Sequence, residues 1–209
     1  MELKNLKVNF LGDSITEGVG ASCYEHCYVA RFAAATGTVC RNYGISGTRI
    51  APRRVPYETP SFDWDFVSRY QTMDADADVV VVFGGTNDYG HGDAPVGQMD
   101  DRTPWTFFGA LHCLFRGLIE RYPDSTIVIM TPLHREFEDL DTPHLQPFVE
   151  AIRQVAEFYA LPVLDLFATS GMQPRVPVMK QKYFADHVHP NDNGHAVVAH
   201  MLQRFLENM

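Results

Sequence analysis

Basic residues are scarce in this chain, with 17 Lys and Arg against 26 Asp and Glu and a formal charge of −9. Nucleic acids and anionic membranes are bound by clustered cations, so neither is an expected partner. Long apolar runs are missing as well. No stretch approaches the roughly 20 residues that cross a bilayer, which excludes membrane insertion by a helix. The segment Met1–Lys7 has neither an apolar leader nor a small-residue cleavage pattern, and this predicts a cytoplasmic protein. Cysteine is limited to Cys23, Cys27, Cys40 and Cys113, which suit a compartment of reduced thiols. Cys23 and Cys27 are spaced to share a helix face, but no second Cys/His pair stands at zinc-finger spacing. Packing accounts for them, and no metal or other cofactor is called for.

Repeats, low-complexity tracts and charge blocks are also absent. With 209 residues and an apolar fraction of 45%, the chain is read as one globular domain over residues 1–209. Strand and helix patterns alternate along it. Leu6–Leu11 reads as a strand and Tyr24–Thr36 as a helix closed by Gly37. Thr38–Tyr43 is the second strand, and a helix over Asp65–Met73 follows an irregular stretch from Gly44 to Asp63. The unbroken run Asp78–Phe83 predicts a central parallel strand buried on both faces. A second irregular stretch reaches Pro104, before a helix over Thr106–Arg121 and a strand over Ser125–Thr131. Leu145–Tyr159 is a helix and Pro162–Leu166 a short fifth strand. The last helix spans Asn191–Glu207, with Val197, Met201, Leu202 and Phe205 on one face. Such alternation gives an α/β fold with a parallel sheet, whose sites form beyond the carboxyl ends of the strands.

Polar, glycine-marked turns follow the first three strands: Gly12-Asp13-Ser14, Asn42-Tyr43-Gly44-Ile45-Ser46-Gly47 and Gly85-Thr86-Asn87-Asp88. A fourth segment, Asp186-His187-Val188-His189-Pro190, precedes the last helix and can reach the same edge. Alone, each has an ordinary reading as a turn, a cap or a surface pair. Together they supply what a serine nucleophile needs. Ser14 would attack, His189 would take its proton, and Asp186, three residues away, would orient the imidazole. The N–H groups of Ser14 and Gly44 and the amide of Asn87 would stabilise the oxyanion. Asp13 is read as holding the turn.

These four blocks, in this order, resemble those of the SGNH, or GDSL-type, hydrolase superfamily. The resemblance spans residues 12–190 and implies a flavodoxin-like three-layer α/β/α sandwich, with five parallel strands in the order 2-1-3-4-5. It also implies the same roles for Ser14, Asp186, His189, Gly44 and Asn87. Many members carry Gly where this chain has His187, which bears on substrate preference. The α/β-hydrolase elbow Gly-x-Ser-x-Gly does not fit, because residue 16 is Thr.

The expected reaction is hydrolysis of a small-molecule ester of a short acyl group, with a carbohydrate O-acetylester as the favoured substrate. Arg49, Tyr57, Trp64, His91, Trp105 and His187 are the expected pocket residues, because the two irregular stretches and the last block leave the same sheet edge. Arg53, Arg54 and Phe62 belong to the first of those stretches. The competing readings are a lysophospholipase- or thioesterase-type acylhydrolase, a non-catalytic ligand-binding domain, and a metal-dependent hydrolase built on Asp13, Asp186 and the histidines. A histidine base predicts activity that rises with pH through the range in which imidazole titrates. The sequence leaves the oligomeric state open.

Overall fold

The computed structural model describes residues 1–56, 63–138 and 144–209. Tyr57 and Phe62 lie outside the described residues. Five strands, β1 (Lys7–Gly12), β2 (Val39–Gly44), β3 (Val79–Phe83), β4 (Thr126–Met130) and β5 (Val163–Leu164), form one parallel sheet in the order β2-β1-β3-β4-β5. Gly12 stands opposite Gly44 on one side and Phe83 on the other. That register brings the turns after β1, β2 and β3 side by side at the carboxyl edge.

Side chains alternate across the sheet, so each strand serves two cores. Val80 and Val82 join Leu11, Ile127 and Ile129 against helices α5 (Phe107–Arg121) and α6 (Gln146–Phe158). Val79, Val81 and Phe83 join Val8, Phe10 and Val128 on the other face, against α2 (Tyr28–Thr36) and α9 (Asp192–Glu207). The result is the three-layer α/β/α sandwich. All five residues of β3 are buried, as a strand covered on both faces should be.

Several elements depart from the expected pattern. The helix expected from Tyr24 is a 3-10 turn over Tyr24–His26, then Cys27 in extended backbone, then α2. Cys23 and Cys27 therefore share no helix face. The helix expected over Asp65–Met73 is only one turn, Phe66–Arg69, continued as 3-10 over Tyr70–Thr72. Short helices that the sequence reading left irregular are α1 (Ser14–Glu17), α4 (Thr86–His91), α7 (Leu166–Thr169) and α8 (Pro177–Tyr183), and Phe66–Arg69 takes the label α3. The buried stripe of α9 is Gly194, His195, Val198, Ala199, Leu202 and Leu206. Val197, Met201 and Phe205 flank it instead of forming it. Among the described residues, no helix is long and apolar enough to cross a membrane.

Candidate active site

Backbone crowding dictates the nucleophile turn. A Cβ on Gly12 would sit 1.9 Å from Thr16 Oγ1, so only glycine lets α1 fold back over the end of β1. Asp13 caps α1, its Oδ1 accepting from the Ile15 N–H at 3.0 Å. Burial, with the neighbouring Asp88 adding to it against that bond, raises the Asp13 carboxyl to about 7. Asp13 thus holds the turn and stands outside the relay. The N–H of Ser14 is the first of the helix and has no acceptor within it.

Ser14 Oγ lies 2.9 Å from His189 Nε2, and His189 Nδ1 lies 2.7 Å from Asp186 Oδ2. Asp186 Oδ1 accepts from the N–H groups of Val188 and His189, both at 2.7 Å. Burial pulls this carboxyl up, but those two N–H groups and the imidazole outweigh it and hold its pKa below the ordinary value. An ionised carboxylate only accepts, so Nδ1 carries the imidazole proton and Nε2 is free to receive the one on Ser14. The segment is closed on itself. Ala185 N–H donates to His189 O, Asn191 N–H donates to Tyr183 O, and Asn191 then caps α9. Gly20 packs against it from the other side, where a Cβ would meet Pro190 O at 2.2 Å.

The hole donors are set differently. Asn87 Nδ2 donates to Thr48 O at 2.9 Å, which orients the amide and leaves its second N–H available. Next to it Asp88 is buried and accepts from the N–H groups of Ile50 and Ala51, at 2.9 and 2.8 Å. Its carboxyl is raised to about 6, chiefly by burial. Gly44 departs from the expected role, because its N–H donates to Asn42 Oδ1 at 2.8 Å. A Cβ there would lie 2.2 Å from Glu17 N, so Gly44 is the contact at which β2 meets the backbone of α1. Three residues on, Gly47 adopts φ 76° and its N–H has no acceptor among the described residues. The sequence block contains both glycines, and residue type alone does not separate the packing glycine from one with a free donor.

Two buried arginines frame this region, and the sequence reading missed one of them. Arg69, in α3, donates to Gly12 O at 2.8 Å, Tyr43 O at 2.9 Å and Thr48 Oγ1 at 3.0 Å. Burial lowers its pKa to about 10, with Asp13 and Asp65 opposing, so it is a cation at neutral pH. Burying an ion costs several kcal/mol, and hydrogen bonds to a charged group return about 1.5–3 kcal/mol each. Three such bonds offset the cost. Arg49, an expected pocket residue, is 1% exposed, and none of its guanidinium nitrogens has a hydrogen-bond partner among the described residues. Its guanidinium lies in the interior.

The other expected pocket residues scatter. Trp64 is exposed and lines a cavity of about 450 Å³ together with Tyr43, Gly44, Ile45 and Arg69. His91 ends α4, its carbonyl held by Arg53 Nη1 at 2.9 Å, and burial lowers its pKa. His187 is exposed, with its ring 5.7 Å from that of Phe137 and its carbonyl accepting from the Glu136 N–H. Trp105 is exposed just ahead of α5, and no contact among the described residues brings it to Ser14. Arg135 also borders the site, holding Thr86 O at 3.0 Å while lying over the Tyr89 ring. No group of three or more His, Cys, Asp or Glu among the described residues is placed to hold a metal.

The fold brings the four segments together at one edge of the sheet, with Ser14, His189 and Asp186 in hydrogen-bond contact. A family model described as the GDSL-like lipase/acylhydrolase family matches residues 10–197, and the chain belongs to that family. A solved protein from Lactobacillus plantarum is 32% identical, with 99% of this chain and 98% of that one covered at a TM-score of 0.85. A GDSL-like lipase from Bacteroides ovatus shares the fold at 18% identity and TM-score 0.74, over 99% of this chain and all of that one (100%). So does a variant of an acetyl-xylooligosaccharide esterase from Geobacillus, at 20% identity and TM-score 0.67, covering 99% and 96% of the two chains. No curated protein matches the chain.

Proposed function

We propose that this chain is a serine esterase that removes short acyl groups through an acyl-enzyme on Ser14. The observation that carries the reading is the continuous relay of Ser14 Oγ to His189 Nε2 at 2.9 Å and His189 Nδ1 to Asp186 Oδ2 at 2.7 Å. Ser14 Oγ attacks the ester carbonyl carbon as its proton passes to Nε2. The imidazolium is stabilised by the Asp186 carboxylate, and the new oxyanion accepts from donors already in place. Collapse of the tetrahedral adduct breaks the bond to the alcohol, which leaves with the proton from Nε2. Water then enters, losing a proton to Nε2, and the second tetrahedral adduct releases the acid and restores Ser14. The oxyanion donors are the Ser14 N–H, the free N–H of Asn87 and, from the glycine block, Gly47. Gly44 is not assigned a donor role, because its N–H is engaged by Asn42.

The substrate we favour is an acetylated carbohydrate. The support is the activity named for the structurally similar Geobacillus esterase. A panel of p-nitrophenyl acetate, butyrate and octanoate, run beside acetylated xylo-oligosaccharides, tests it. Turnover should fall from acetate to octanoate, and the acetylated sugars should release acetate. A preference for octanoate would shift the reading to an acylhydrolase of longer chains. Activity lost to a chelator and restored by metal would refute the metal-independent mechanism. Ser14→Ala, carried through the same panel, excludes a contaminating esterase.

A further inference from the structure

We propose that Arg69 is a positioning residue for the oxyanion hole, its one guanidinium joining the chain segments that supply the donors. The proposal rests on the esterase reading. Nη2 holds Gly12 O, two residues before Ser14. Nη1 holds Tyr43 O, at the end of the strand that opens the glycine block. Nη2 also holds Thr48 Oγ1, next to Gly47, and the carbonyl of the same Thr48 receives the amide of Asn87. Every assigned donor is therefore within two residues of an Arg69 contact, or one hydrogen bond beyond it.

The Nε of Arg69 has no hydrogen-bond partner among the described residues, and its side chain is buried against Phe66 of the same helix, with the ring centroid 5.2 Å away. The three acceptors lie 57, 26 and 21 residues away in sequence, so the contact is tertiary and not part of a local cap. A planar fork can reach carbonyls on two strands and a hydroxyl on the following turn, whereas a lysine ammonium offers a single point of attachment. Thr48 completes the frame by donating to Ile45 O at 2.7 Å. Oxyanion donors act by being fixed before charge develops, so loosening them should lower turnover more than binding.

The test compares Arg69→Met, Arg69→Lys and Thr48→Val with wild type, using p-nitrophenyl acetate kinetics, thermal unfolding and inhibition by a boronic acid. The boronic acid forms a tetrahedral anion on the serine. Arg69→Met should lower kcat about 100-fold and Arg69→Lys about 10-fold, with KM changed less than about 3-fold. Thr48→Val should lower kcat about 5-fold, and boronate affinity should fall in step with kcat/KM across the series. A merely structural arginine would lower the melting temperature and leave boronate affinity of the folded protein alone. If Arg69→Met does not fold at assay temperature, Arg69→Lys and Thr48→Val decide. Either of these, folded and with wild-type kcat and boronate affinity, overturns the proposal. A wild-type protein inert toward the ester overturns the esterase reading itself, which separates the two failures.

Discussion

The two halves of the site are built on opposite plans. The acid–base half is local: Asp186 and His189 are three residues apart, and the loop that carries them closes through backbone bonds within residues 183–191. Asp186 is half-buried, and its carboxylate accepts three hydrogen bonds, all from Val188 and His189. The oxyanion half is assembled from afar. Its segments follow three strands and are joined by buried groups, with Arg69, Asp88 and Thr48 bridging stretches 21 to 57 residues apart. A base must move a proton and tolerates some exposure, whereas donors must be rigid when charge appears. The tight framework stands where rigidity matters more.

Breaking the local half should cost the most turnover. Asp186→Asn replaces the acceptor that fixes the proton on Nδ1, and kcat should fall about 10⁴-fold. The unfolding midpoint should stay near wild type, because the loop is also closed by Ala185 N–H to His189 O. Denaturant unfolding beside ester kinetics checks both. Within the other half, Asn87→Ala removes one donor and should lower kcat about 10²–10³-fold. Gly44→Ala should instead act on stability, since its Cβ would meet the α1 backbone at 2.2 Å. A folded Gly44→Ala enzyme whose loss matches that of Asn87→Ala would restore Gly44 to the hole.

The helix that follows the local half carries a pH dependence of its own. His195 is fully buried beneath the loop that holds Gly20, and it accepts from the Tyr28 N–H at Nδ1, leaving Nε2–H for Val19 O. Burial is the chief cause that lowers its pKa from 6.5 to about 4. The unfolded chain therefore binds this proton first. The stabilisation is complete above pH 6.5 and is lost as the pH falls toward about 4. From such a shift the full loss is about 3 kcal/mol. Urea unfolding between pH 7 and 4 should show that slope in wild type and a shallower one in His195→Gln.

The smallest expected effect separates the two buried arginines. Arg49 is desolvated with no hydrogen bond among the described residues, so Arg49→Met should stabilise the protein by about 1–2 kcal/mol. Arg69→Met should destabilise it, since Tyr43 O, Gly12 O and Thr48 Oγ1 each lose a charged donor, with the Ile45 N–H left on Gly12 O. Equal melting temperatures for the two variants would remove the distinction.

Legibility followed the same division. Asp186-x-x-His189 was readable because its geometry is set by a three-residue spacing, and the Gly12-Asp13-Ser14 turn because it ends an apolar strand. The sheet order came from the family resemblance, and the fully apolar β3 agrees with its central place. Arg69 was invisible, because its partners are backbone carbonyls with no side-chain signature. The choice between Gly44 and Gly47 depends on which N–H is already bonded, a tertiary fact. Arg49 was misplaced because arginine in a loop usually reaches solvent, and here the chain turns it inward. The face of α9 was read from its large apolar residues, whereas the buried stripe includes Gly194, packed on Tyr183 and Pro190, and His195, bonded to the start of α2.

Labelling with a fluorophosphonate shows whether Ser14 is an activated nucleophile. One adduct is expected, localised to Ser14 by peptide mass spectrometry, with ester hydrolysis lost in proportion to labelling. His189→Ala should slow the labelling. A protein that hydrolyses p-nitrophenyl acetate but carries the adduct elsewhere, or stays unlabelled and inert, would contradict that role for Ser14.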